Sequence, residues 1–464
     1  MAELRHNGRG PALQEATVVV LGYGQSGRAA ATLLQDAGAR VRVFDNLAAD
    51  RLGLAEEDVP GGTAFFGAGD DAVLSGADLV IASPGLPPTH PVLAAALKRG
   101  LPVRSELELG WWFTDCPTLA ITGTNGKTTT TELLGAMARA AGRKTVVAGI
   151  VGTPLSSIGP ERPDVLILEV SSFQLFLCED FRPDVAMLLN FTSDHQDWHP
   201  DLDHYADAKA RLFARQGAHD AAILPGDTPE IVERFRPPAA EVYEFRREGQ
   251  PERGAFLRDG RVTFRLGEEL ESVVPLSEWH LPGGHNLENL LAASLGARLL
   301  GLPDEAIRTG ARDFRGLPHR MEFITEHGGV AWINDSKSTN PGSLEKALDP
   351  DVPTLLIAGG VTKGCDFRPV RDAVTEGART VLLIGEGMDD LETAWAPSVR
   401  TVRADTLERA VEMAAAEAAP GERVLFSPGC ASFDQFENYV HRGNRFRELV
   451  MERTGRKRPE GGVG

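Results

Sequence analysis

Hydrophobic positions fall in short runs along the chain, and Ala/Leu-rich stretches with apolar residues at helical spacing separate them. The runs that favour buried strands are ATVVVLG, RVRVF, DLVIASP, TLAITG, DVLILEV, AMLLN, TLLIAGG, TVLLIGE and RVLFSPG. Continuous apolar strands that alternate with helices are typical of parallel sheets covered on both faces. The pattern therefore predicts an α/β protein assembled from βαβ units.

Two breaks in this pattern predict three α/β domains. A helical pattern ends at WWFTDCP, residues 111–117, and a second break lies at FRGLPHR, residues 314–320. The expected domains are 1–113, 114–316 and 317–464. The first and third are expected to be Rossmann-like, and the central one to be a parallel sheet of the P-loop ATPase kind. The stretch 226–280, which contains short alternating pieces such as GAFLRDGRVTFRL, predicts a meander of antiparallel strands that forms a small subsheet in the central domain.

Composition narrows the class of partner. The chain has 464 residues, 42% hydrophobic and 25% charged, which is typical of a globular protein of several domains. The net charge of -18 argues against nucleic acid or an anionic membrane as the main partner. An anionic ligand must therefore be bound locally, by backbone N–H groups, helix N-termini and individual cationic side chains.

Cysteine usage and the N-terminal sequence indicate a reducing compartment. No CxxC pair and no metal-ligand spacing occurs among the four cysteines, which are Cys116, Cys178, Cys365 and Cys430. The opening MAELRHNGRG lacks an apolar stretch, and no segment reaches the roughly 18 apolar residues of a membrane span. We expect a cytoplasmic protein without membrane insertion, acting as a monomer.

A glycine pattern follows the first strand. Gly22-Tyr-Gly24-Gln-Ser-Gly27 lies between ATVVVL and a helical stretch, and Asp45 ends the next strand. This is the G-x-G-x-x-G context that binds a pyrophosphate at a helix N-terminus. The residues alone leave NAD, FAD, another diphosphate nucleotide or an unoccupied turn open. A second turn, residues 83–86, is expected at the same edge of the sheet.

The stretch LAITGTNGKTTTTELL, residues 119–134, has the strand–loop–helix context of a phosphate loop. Backbone N–H groups between Gly123 and Thr128 are expected to hold phosphate oxygens, and Lys127 to neutralise the terminal phosphate. The Thr128 hydroxyl is expected to bind Mg²⁺. Ile121 stands where the usual pattern has its first glycine, so the loop is contracted, which points away from GTPases and standard ATPases.

Other polar residues follow predicted strands of the central domain. Glu169 ends a strand expected beside the phosphate loop, where a Mg²⁺ ligand is needed. Considered alone, His195 and Lys209 are more typical of ordinary surface side chains. Asn286 and Asn289 begin a helix and are compatible either with nucleotide contacts or with helix capping.

Several motifs occur together in one order: GTNGKTT, LEVSSFQL, an Asp-His pair with a following Lys, HNLEN, LPHR, NDSKSTNP and SPGCASFDQF. Together they closely resemble the Mur ligase family over nearly the whole chain. GTNGKTT is shared with folylpolyglutamate synthases, whereas SSFQL, NDSKSTN and ASFDQF resemble the members that add D-glutamate. The resemblance implies an ATP-dependent amide ligase that joins D-glutamate to UDP-N-acetylmuramoyl-L-alanine through an acyl phosphate, in peptidoglycan precursor synthesis.

The resemblance also implies roles for individual residues. The catalytic residues would be Lys127, Glu169, His195, Lys209 and Lys337. ATP would be bound by Gly123, Thr124, Asn125, Gly126, Lys127, Thr128, Thr129, Asn286, Asn289, Arg320 and Asp335. Two Mg²⁺ ions would be held by Thr128, Glu169, His195 and Lys209, the last as a carbamate. Carbamate formation requires a neutral amine, so we expect an environment that lowers the pKa of Lys209.

The two other substrates have their own expected sites. The UDP substrate would be bound by Gln25, Ser26, Asp45, Asn46, Ser83, Gly85 and Leu86. The amino acid would be bound by Thr339, Lys363, Ser432, Phe433 and Tyr439. Two positions depart from the family pattern: Ile150 replaces a substrate-contacting asparagine, and Val361 replaces an acidic residue found in some members.

Three rival functions remain compatible with parts of the sequence. A sister ligase would add another amino acid, such as L-glutamate, or extend a folate, and would differ only in the third-domain pocket. A nicotinamide-dependent oxidoreductase would use GYGQSG but would leave the phosphate loop, Glu169 and NDSKSTN without a role. A nucleotide sensor would bind ATP without turnover.

Overall fold

A computed structural model describes residues 9–52, 63–67, 71–150, 152–158, 162–195, 198–281 and 283–455. The chain forms two compact units, Met1–Phe314 and Arg315–Gly464. The first unit contains two sheets and the second contains one. No helix in the described ranges is both long enough and apolar enough to cross a bilayer.

The first sheet is entirely parallel, with the strand order β3-β2-β1-β4-β5. Its strands are β1 (Thr17–Leu21), β2 (Arg40–Asp45), β3 (Thr63–Phe66), β4 (Leu79–Ala82) and β5 (Val103–Ser105). Its helices are α1 (Gln25–Asp36), α2 (Pro91–Lys98) and α3 (Glu106–Trp112). The apolar residues of β1 and β4 are fully buried, as expected for central strands covered on both faces.

The second sheet is mixed, with the order β14-β13-β12-β11-β10-β9-β6-β8-β7. Its first strands are β6 (Thr118–Thr122), β7 (Thr145–Gly149), β8 (Val165–Glu169), β9 (Val185–Leu188) and β10 (Ala221–Pro225). The others are β11 (Glu241–Arg246), β12 (Gly254–Arg258), β13 (Arg261–Arg265) and β14 (Leu270–Pro275). Its helices are α4 (Lys127–Ala140), α5 (Ser172–Phe176), α6 (Leu202–Ala210), α7 (Pro229–Phe235), α8 (Gly284–Leu299) and α9 (Asp304–Asp313).

The expected antiparallel subsheet is smaller than the stretch 226–280. Strands β12, β13 and β14 pair antiparallel. Strand β11 instead pairs parallel with both β10 and β12, so it continues the parallel part of the sheet. At the start of β12, the Gly254 backbone lies so close to β11 that a Cβ atom there would be 1.7 Å from Glu244 O.

The third sheet has the order β15-β16-β20-β17-β18-β19 and is parallel except for the β15–β16 pair. Its strands are β15 (Glu322–His327), β16 (Val330–Asn334), β17 (Thr354–Gly359), β18 (Thr380–Ile384), β19 (Arg400–Asp405) and β20 (Arg423–Phe426). Its helices are α10 (Pro341–Ala347), α11 (Arg371–Gly377), α12 (Met388–Trp395), α13 (Leu407–Glu417) and α14 (Tyr439–Thr454). The predicted α/β fold class is confirmed, while the bounds of the three domains stay a prediction.

Helix α3 joins the two sheets of the first unit through buried carboxylates. Glu106 Oε1 accepts hydrogen bonds from the backbone N–H of Ser156 (2.7 Å) and from its hydroxyl (2.5 Å). Glu108 accepts from the backbone N–H groups of Glu179 (3.0 Å) and Asp180 (2.7 Å). Burial raises the pKa of both carboxyl groups. These bonds fix the loops after β7 and α5 against the first sheet.

Candidate functional site

The contracted phosphate loop connects β6 to α4, and its backbone is fixed from two sides. Gly126 has φ +81° and precedes the first residue of α4, Lys127. A Cβ atom at Gly126 would lie 2.4 Å from Asn289 Oδ1 of α8. On the other side, Asn190 Oδ1 accepts from the backbone N–H groups of Thr124 (3.1 Å) and Asn125 (2.9 Å). The loop therefore requires glycine where α8 approaches it.

Two lysines converge on one carbonyl oxygen of this loop. Lys127 Nζ donates to Gly123 O at 2.9 Å and to Thr124 O at 3.0 Å. Lys209 Nζ, from α6, donates to the same Gly123 O at 2.9 Å and to Thr122 Oγ1 at 3.3 Å. A shared acceptor places the two amino groups at most about 6 Å apart, where two positive charges repel each other.

The environment of Lys209 disfavours its charged form. The side chain is 1% exposed. Burial, together with the positive charge of Lys127, lowers the pKa of Lys209 well below its usual range, although Asp194 opposes this shift. Tyr205 places its ring 4.6 Å from Lys209 Nζ. The expected depression of this pKa is thus present in the structure.

Glu169 and Thr128 meet beside the loop. Glu169 ends β8, which pairs with β6 so that Ile121 lies opposite Glu169. The Thr128 hydroxyl donates to Glu169 Oε1 at 3.2 Å. Glu169 is 4% exposed. A hydroxyl and a carboxylate at this spacing offer oxygen atoms of the kind that Mg²⁺ prefers. Thr129 is half-buried in the first turn of α4.

His195 lies in a strained turn before α6. Its φ is +54°, and its backbone N–H donates to Asp194 Oδ1 at 2.9 Å. Its ring packs edge-on against Phe173 at 4.8 Å. Among the described residues, no three His, Cys, Asp or Glu side chains come together as a metal site.

Helix α8 presents its two asparagines to the phosphate loop. Asn289 Nδ2 donates to Asn286 Oδ1 at 3.3 Å. Asn289 Oδ1 accepts from the Thr130 hydroxyl of α4 at 3.2 Å. Asn289 is buried, whereas Asn286 is only half-buried. The inner asparagine thus supports the loop, and the outer one lies nearer to solvent beside it.

In the first sheet, Asp45 organises the glycine-rich turn. Its two carboxylate oxygens accept from the backbone N–H groups of Tyr23 (2.7 Å) and Leu47 (2.9 Å). Asn46 pairs with the ring of His90, at 3.0 Å from Nδ2 to Nε2. Burial lowers the pKa of His90, against the opposing charge of Asp45.

The second turn lies against the first, as expected for two loops at one sheet edge. The Ser83 hydroxyl donates to Gly22 O at 3.0 Å. Leu86 is half-buried, and its backbone N–H donates to Ser83 O at 3.2 Å. Gly85 is exposed. A Cβ on Gly22 would approach the Ser83 side chain to 2.9 Å, so glycine is required there.

Helix α1 brings two further residues to the same edge. Gln25 is exposed, and its side-chain amide donates to Gly152 O, in the loop after β7, at 3.2 Å. Ser26 is half-buried in the first turn of α1. Ile150, at the departure from the family pattern, donates its backbone N–H to Glu169 O at 3.0 Å. The backbone of the loop after β7 is therefore tied both to Glu169 and to the glycine-rich turn.

In the second unit, Asp335 follows β16 and is buried among hydrogen-bond donors. Its carboxylate accepts from the Ser427 hydroxyl (2.8 Å) and from the backbone N–H of Met321 (3.1 Å). Burial raises the pKa of Asp335 to about 6, although both hydrogen bonds and the charge of Arg320 oppose the shift. Arg320 is exposed.

A buried arginine fixes the NDSKSTN segment. Arg442 of α14 is 1% exposed and donates to the hydroxyl (3.1 Å) and carbonyl (2.9 Å) oxygens of Ser336. The Ser336 hydroxyl donates to Tyr439 O at 2.8 Å. Lys337 donates its backbone N–H to His319 O at 2.9 Å. These contacts place Lys337 and Tyr439 on connected segments.

The remaining amino-acid candidates lie on two adjoining loops. Val361 and Ala431 form an antiparallel bridge between the loops that follow β17 and β20. Lys363 Nζ lies 5.3 Å from the ring of Phe433, which is 65% exposed. Ser432 is buried.

Thr339 is half-buried and directly precedes the N-cap of α10. The backbone N–H of Gly429 donates to Ser338 O at 3.0 Å, which joins the Thr339 segment to the loop after β20. The candidates of this unit therefore collect at the carboxyl ends of β16, β17 and β20.

Sequence reasoning missed several residues that shape these sites. Asn190 holds the phosphate loop, Tyr205 lies under Lys209, and His90 pairs with Asn46. Arg442 fixes Ser336. The position of Asn190 directly after the strand pattern AMLLN was a usable signal, because the carboxyl ends of parallel strands share one edge. No comparable signal marks Arg442 or His90.

Family models match all three parts of the chain. The Mur ligase MurD-like N-terminal domain matches residues 16–105, the Mur ligase middle domain residues 121–297, and the Mur ligase glutamate ligase domain residues 319–430. The UDP-N-acetylmuramoylalanine–D-glutamate ligase of Acidobacterium capsulatum is 40% identical over 96% of this chain and 98% of that protein. The protein of the same name from Salinibacter ruber is 40% identical over 94% and 98%.

Solved structures of Mur ligases and related ligases share the fold of this chain. The MurF ligase of Thermotoga maritima in complex with ADP is 18% identical and has a TM-score of 0.54, covering 95% of this chain and 96% of that one. E. coli FolC in complex with DHPP and ADP is 20% identical and has a TM-score of 0.52, covering 72% and 89%. The family models and the relatives that match over nearly the full length show that the chain belongs to the Mur ligase family.

Proposed function

We propose that this chain is an ATP-dependent ligase that joins D-glutamate to UDP-N-acetylmuramoyl-L-alanine in peptidoglycan precursor synthesis. The relatives of that name, 40% identical over almost the full length, support the choice of substrates. The observation that carries the chemistry is the convergence of Lys127 and Lys209 on Gly123 O at the contracted phosphate loop. A cofactor-dependent oxidoreductase has no use for that arrangement.

The proposed reaction begins with phosphoryl transfer. The carboxylate of the muramoyl substrate attacks the γ-phosphorus of ATP, the bond to the β-phosphate oxygen breaks, and ADP leaves. Such a transfer depends on positioning and charge neutralisation rather than on covalent help from the protein. The loop N–H groups, the N-terminus of α4 and Lys127 supply positive charge where the phosphates would lie.

The second half of the reaction forms the amide. The neutral amine of D-glutamate attacks the carbonyl carbon of the acyl phosphate, and the tetrahedral intermediate expels inorganic phosphate. We assign the amino acid to Lys363, Thr339, Ser432, Phe433 and Tyr439. Lys363 would pair with a carboxylate of D-glutamate, and the exposed Phe433 ring would cover its methylene groups. Lys337 is assigned to the acyl phosphate.

Nucleotide and uridine contacts complete the assignment. We place the adenosine end of ATP at Asn286 and Asn289, and we also assign Arg320 and Asp335 to ATP. The UDP part is assigned to the glycine-rich edge of the first sheet, through Gln25, Ser26, Asp45, Asn46, Ser83, Gly85 and Leu86. Because the Asp45 oxygens already hold two backbone N–H groups, Asp45 would contribute mainly by shaping the turn.

We assign two Mg²⁺ ions to the side chains at the phosphate loop. Thr128 and Glu169 would hold one, and His195 and a carbamylated Lys209 would hold the other. Mg²⁺ would neutralise the charge that develops on the phosphate oxygens. Carbamylation adds CO₂ to the neutral amine of Lys209 with loss of one proton. The low pKa of Lys209 supports this step, because only the uncharged amine is a nucleophile.

The proposal is tested by phosphate release with purified full-length protein. We expect release only with ATP, Mg²⁺, UDP-N-acetylmuramoyl-L-alanine and D-glutamate together, and much less when L-glutamate replaces D-glutamate. Preference for L-glutamate or a folate would support a sister ligase instead. Phosphate release without the muramoyl substrate, or binding of NADH without any ligase activity, would contradict the proposal.

A further inference from the structure

His199 makes polar contacts with three separate segments beside the phosphate loop. Its ring Nε2 lies 2.9 Å from the Ser172 hydroxyl of α5. Its Nδ1 lies 2.8 Å from His204 Nδ1 of α6. Its backbone N–H donates to His195 O at 2.9 Å. The residue is 1% exposed, and the sequence motifs give it no role.

Each of these three segments carries a residue assigned above to the metal site. Ser172 begins α5, three residues after Glu169 at the end of β8. The second segment contains His195 itself. Helix α6 carries Lys209 five residues after His204, about 7.5 Å farther along the helix axis. His199 is thus the common hydrogen-bonding partner of the elements that bring Glu169, His195 and Lys209 together.

We propose that His199 is a positioning residue, an inference that rests on the proposed function. His199 fixes the relative placement of Glu169, His195 and Lys209, and thereby the geometry of the metal site. Hydrogen bonds at both ring nitrogens define the rotation of α6 about its axis as well as its distance from α5. Apolar packing alone constrains distance but restricts rotation less.

The aromatic rings around His199 supply apolar packing, but they do not supply the directional constraint of a hydrogen bond. Phe173 contacts the His199 ring at 5.8 Å, nearly parallel to it, and Trp198 contacts it at 4.5 Å. Tyr205 lies 5.0 Å from it. A phenylalanine at position 199 would keep these ring contacts and lose both ring hydrogen bonds. This separates the positioning role from a simple contribution to packing.

The test compares His199→Phe with His199→Gln and His204→Phe in the full-length protein. A glutamine amide can place its nitrogen near the position of Nε2, so His199→Gln retains the contact with Ser172. His204→Phe is the matched control that removes only the bond to α6. The readouts are Mn²⁺ binding by electron paramagnetic resonance with ADP present, the ¹³C signal of carbamate after addition of ¹³C-bicarbonate, and ADP affinity without metal.

We expect His199→Phe to weaken Mn²⁺ binding by about 10- to 100-fold, the range typical of losing a group that orients metal ligands. Its carbamate signal should fall, while its ADP affinity without metal stays within about twofold. His199→Gln and His204→Phe both keep the contact with Ser172 and lose the one between residues 199 and 204, so both should bind Mn²⁺ more tightly than His199→Phe and more weakly than the unmodified protein.

Two results separate this inference from the proposed function. Mn²⁺ binding by His199→Phe within about twofold of the unmodified protein would overturn the positioning role alone, with the ligase assignment left standing. Absence of Mn²⁺ binding by the unmodified protein would overturn the metal site and the inference with it. If His199→Phe does not fold, His204→Phe decides the question: weakened Mn²⁺ binding with normal metal-free ADP affinity supports the inference, and Mn²⁺ binding within about twofold of the unmodified protein overturns it.

Discussion

Replacing Gly126 by alanine tests whether the phosphate loop is fitted against α8. Gly126 has φ +81°, a conformation that costs a residue with a Cβ about 1 kcal/mol. The added methyl group would lie 2.4 Å from Asn289 Oδ1, which is closer than van der Waals contact allows. Either the loop or the asparagine must therefore move.

The energetic consequence follows from what Asn289 holds. Its Oδ1 accepts a hydrogen bond from the buried Thr130 hydroxyl, and its Nδ2 donates to Asn286. Loss of the Thr130 bond leaves a buried polar group unsatisfied, which costs about 1–3 kcal/mol. Together with the backbone strain, we expect Gly126→Ala to lower the free energy of unfolding by about 2–4 kcal/mol. Turnover should fall about 10²-fold if the loop shifts by an ångström.

Gly142, which follows the C-terminal end of α4, provides the matched control. Its φ is +72°, and a Cβ there would meet nothing within 4 Å. Gly142→Ala should therefore show only the backbone cost of about 1 kcal/mol and normal kinetics. Urea unfolding and phosphate-release kinetics measure both quantities. If the two alanine variants behave alike in both assays, the fit of the loop against Asn289 is refuted.

Two further predictions concern charged groups. Lys127→Ala should lower kcat/KM at least about 10²-fold in the phosphate-release assay, because a charge partner of the transferred phosphate is lost. Lys98→Ala, at an exposed position, is the control. Near-normal turnover of Lys127→Ala would contradict the assignment of Lys127. For Asp335, burial raises the pKa from 3.8 to about 6, so the folded state keeps a proton that the unfolded state releases. Its contribution to stability is complete below pH 4 and is lost as the pH rises through 6, a change of about 3 kcal/mol. Asparagine does not titrate, so the free energy of unfolding of Asp335→Asn minus that of the unmodified protein should rise by about 3 kcal/mol between pH 4 and 7. If this difference in free energy does not change with pH, Asp335 is not held protonated by burial.

The strands and phosphate loop were predictable because each depends on local sequence. Buried parallel strands are continuous apolar runs, and a glycine-bracketed loop between strand and helix has few other uses. The position of Glu169 followed from the same rule, since the carboxyl ends of parallel strands share an edge. These features need only the order of elements along the chain.

The supporting residues were not predictable because their contacts join distant parts of the chain. Asn190 reaches the loop from β9, and Arg442 reaches Ser336 from a helix more than a hundred residues away. Strand β11 was wrongly placed in the antiparallel subsheet, since alternation of polar and apolar residues does not reveal the direction of a neighbour. Such choices are made by tertiary packing rather than by local propensity.

The charge on Lys209 decides how the two lysines at Gly123 can coexist. As two ammonium groups on one carbonyl oxygen they repel each other, and burial adds to the cost of the inner charge. Loss of the proton from Lys209 removes the repulsion. A carbamate on Lys209, as proposed, would go further, because it replaces a like charge beside Lys127 with an opposite one. A pocket that favours the neutral form of Lys209 would then favour its modification twice, first by supplying the nucleophilic amine and afterwards by pairing the new carboxylate with Lys127.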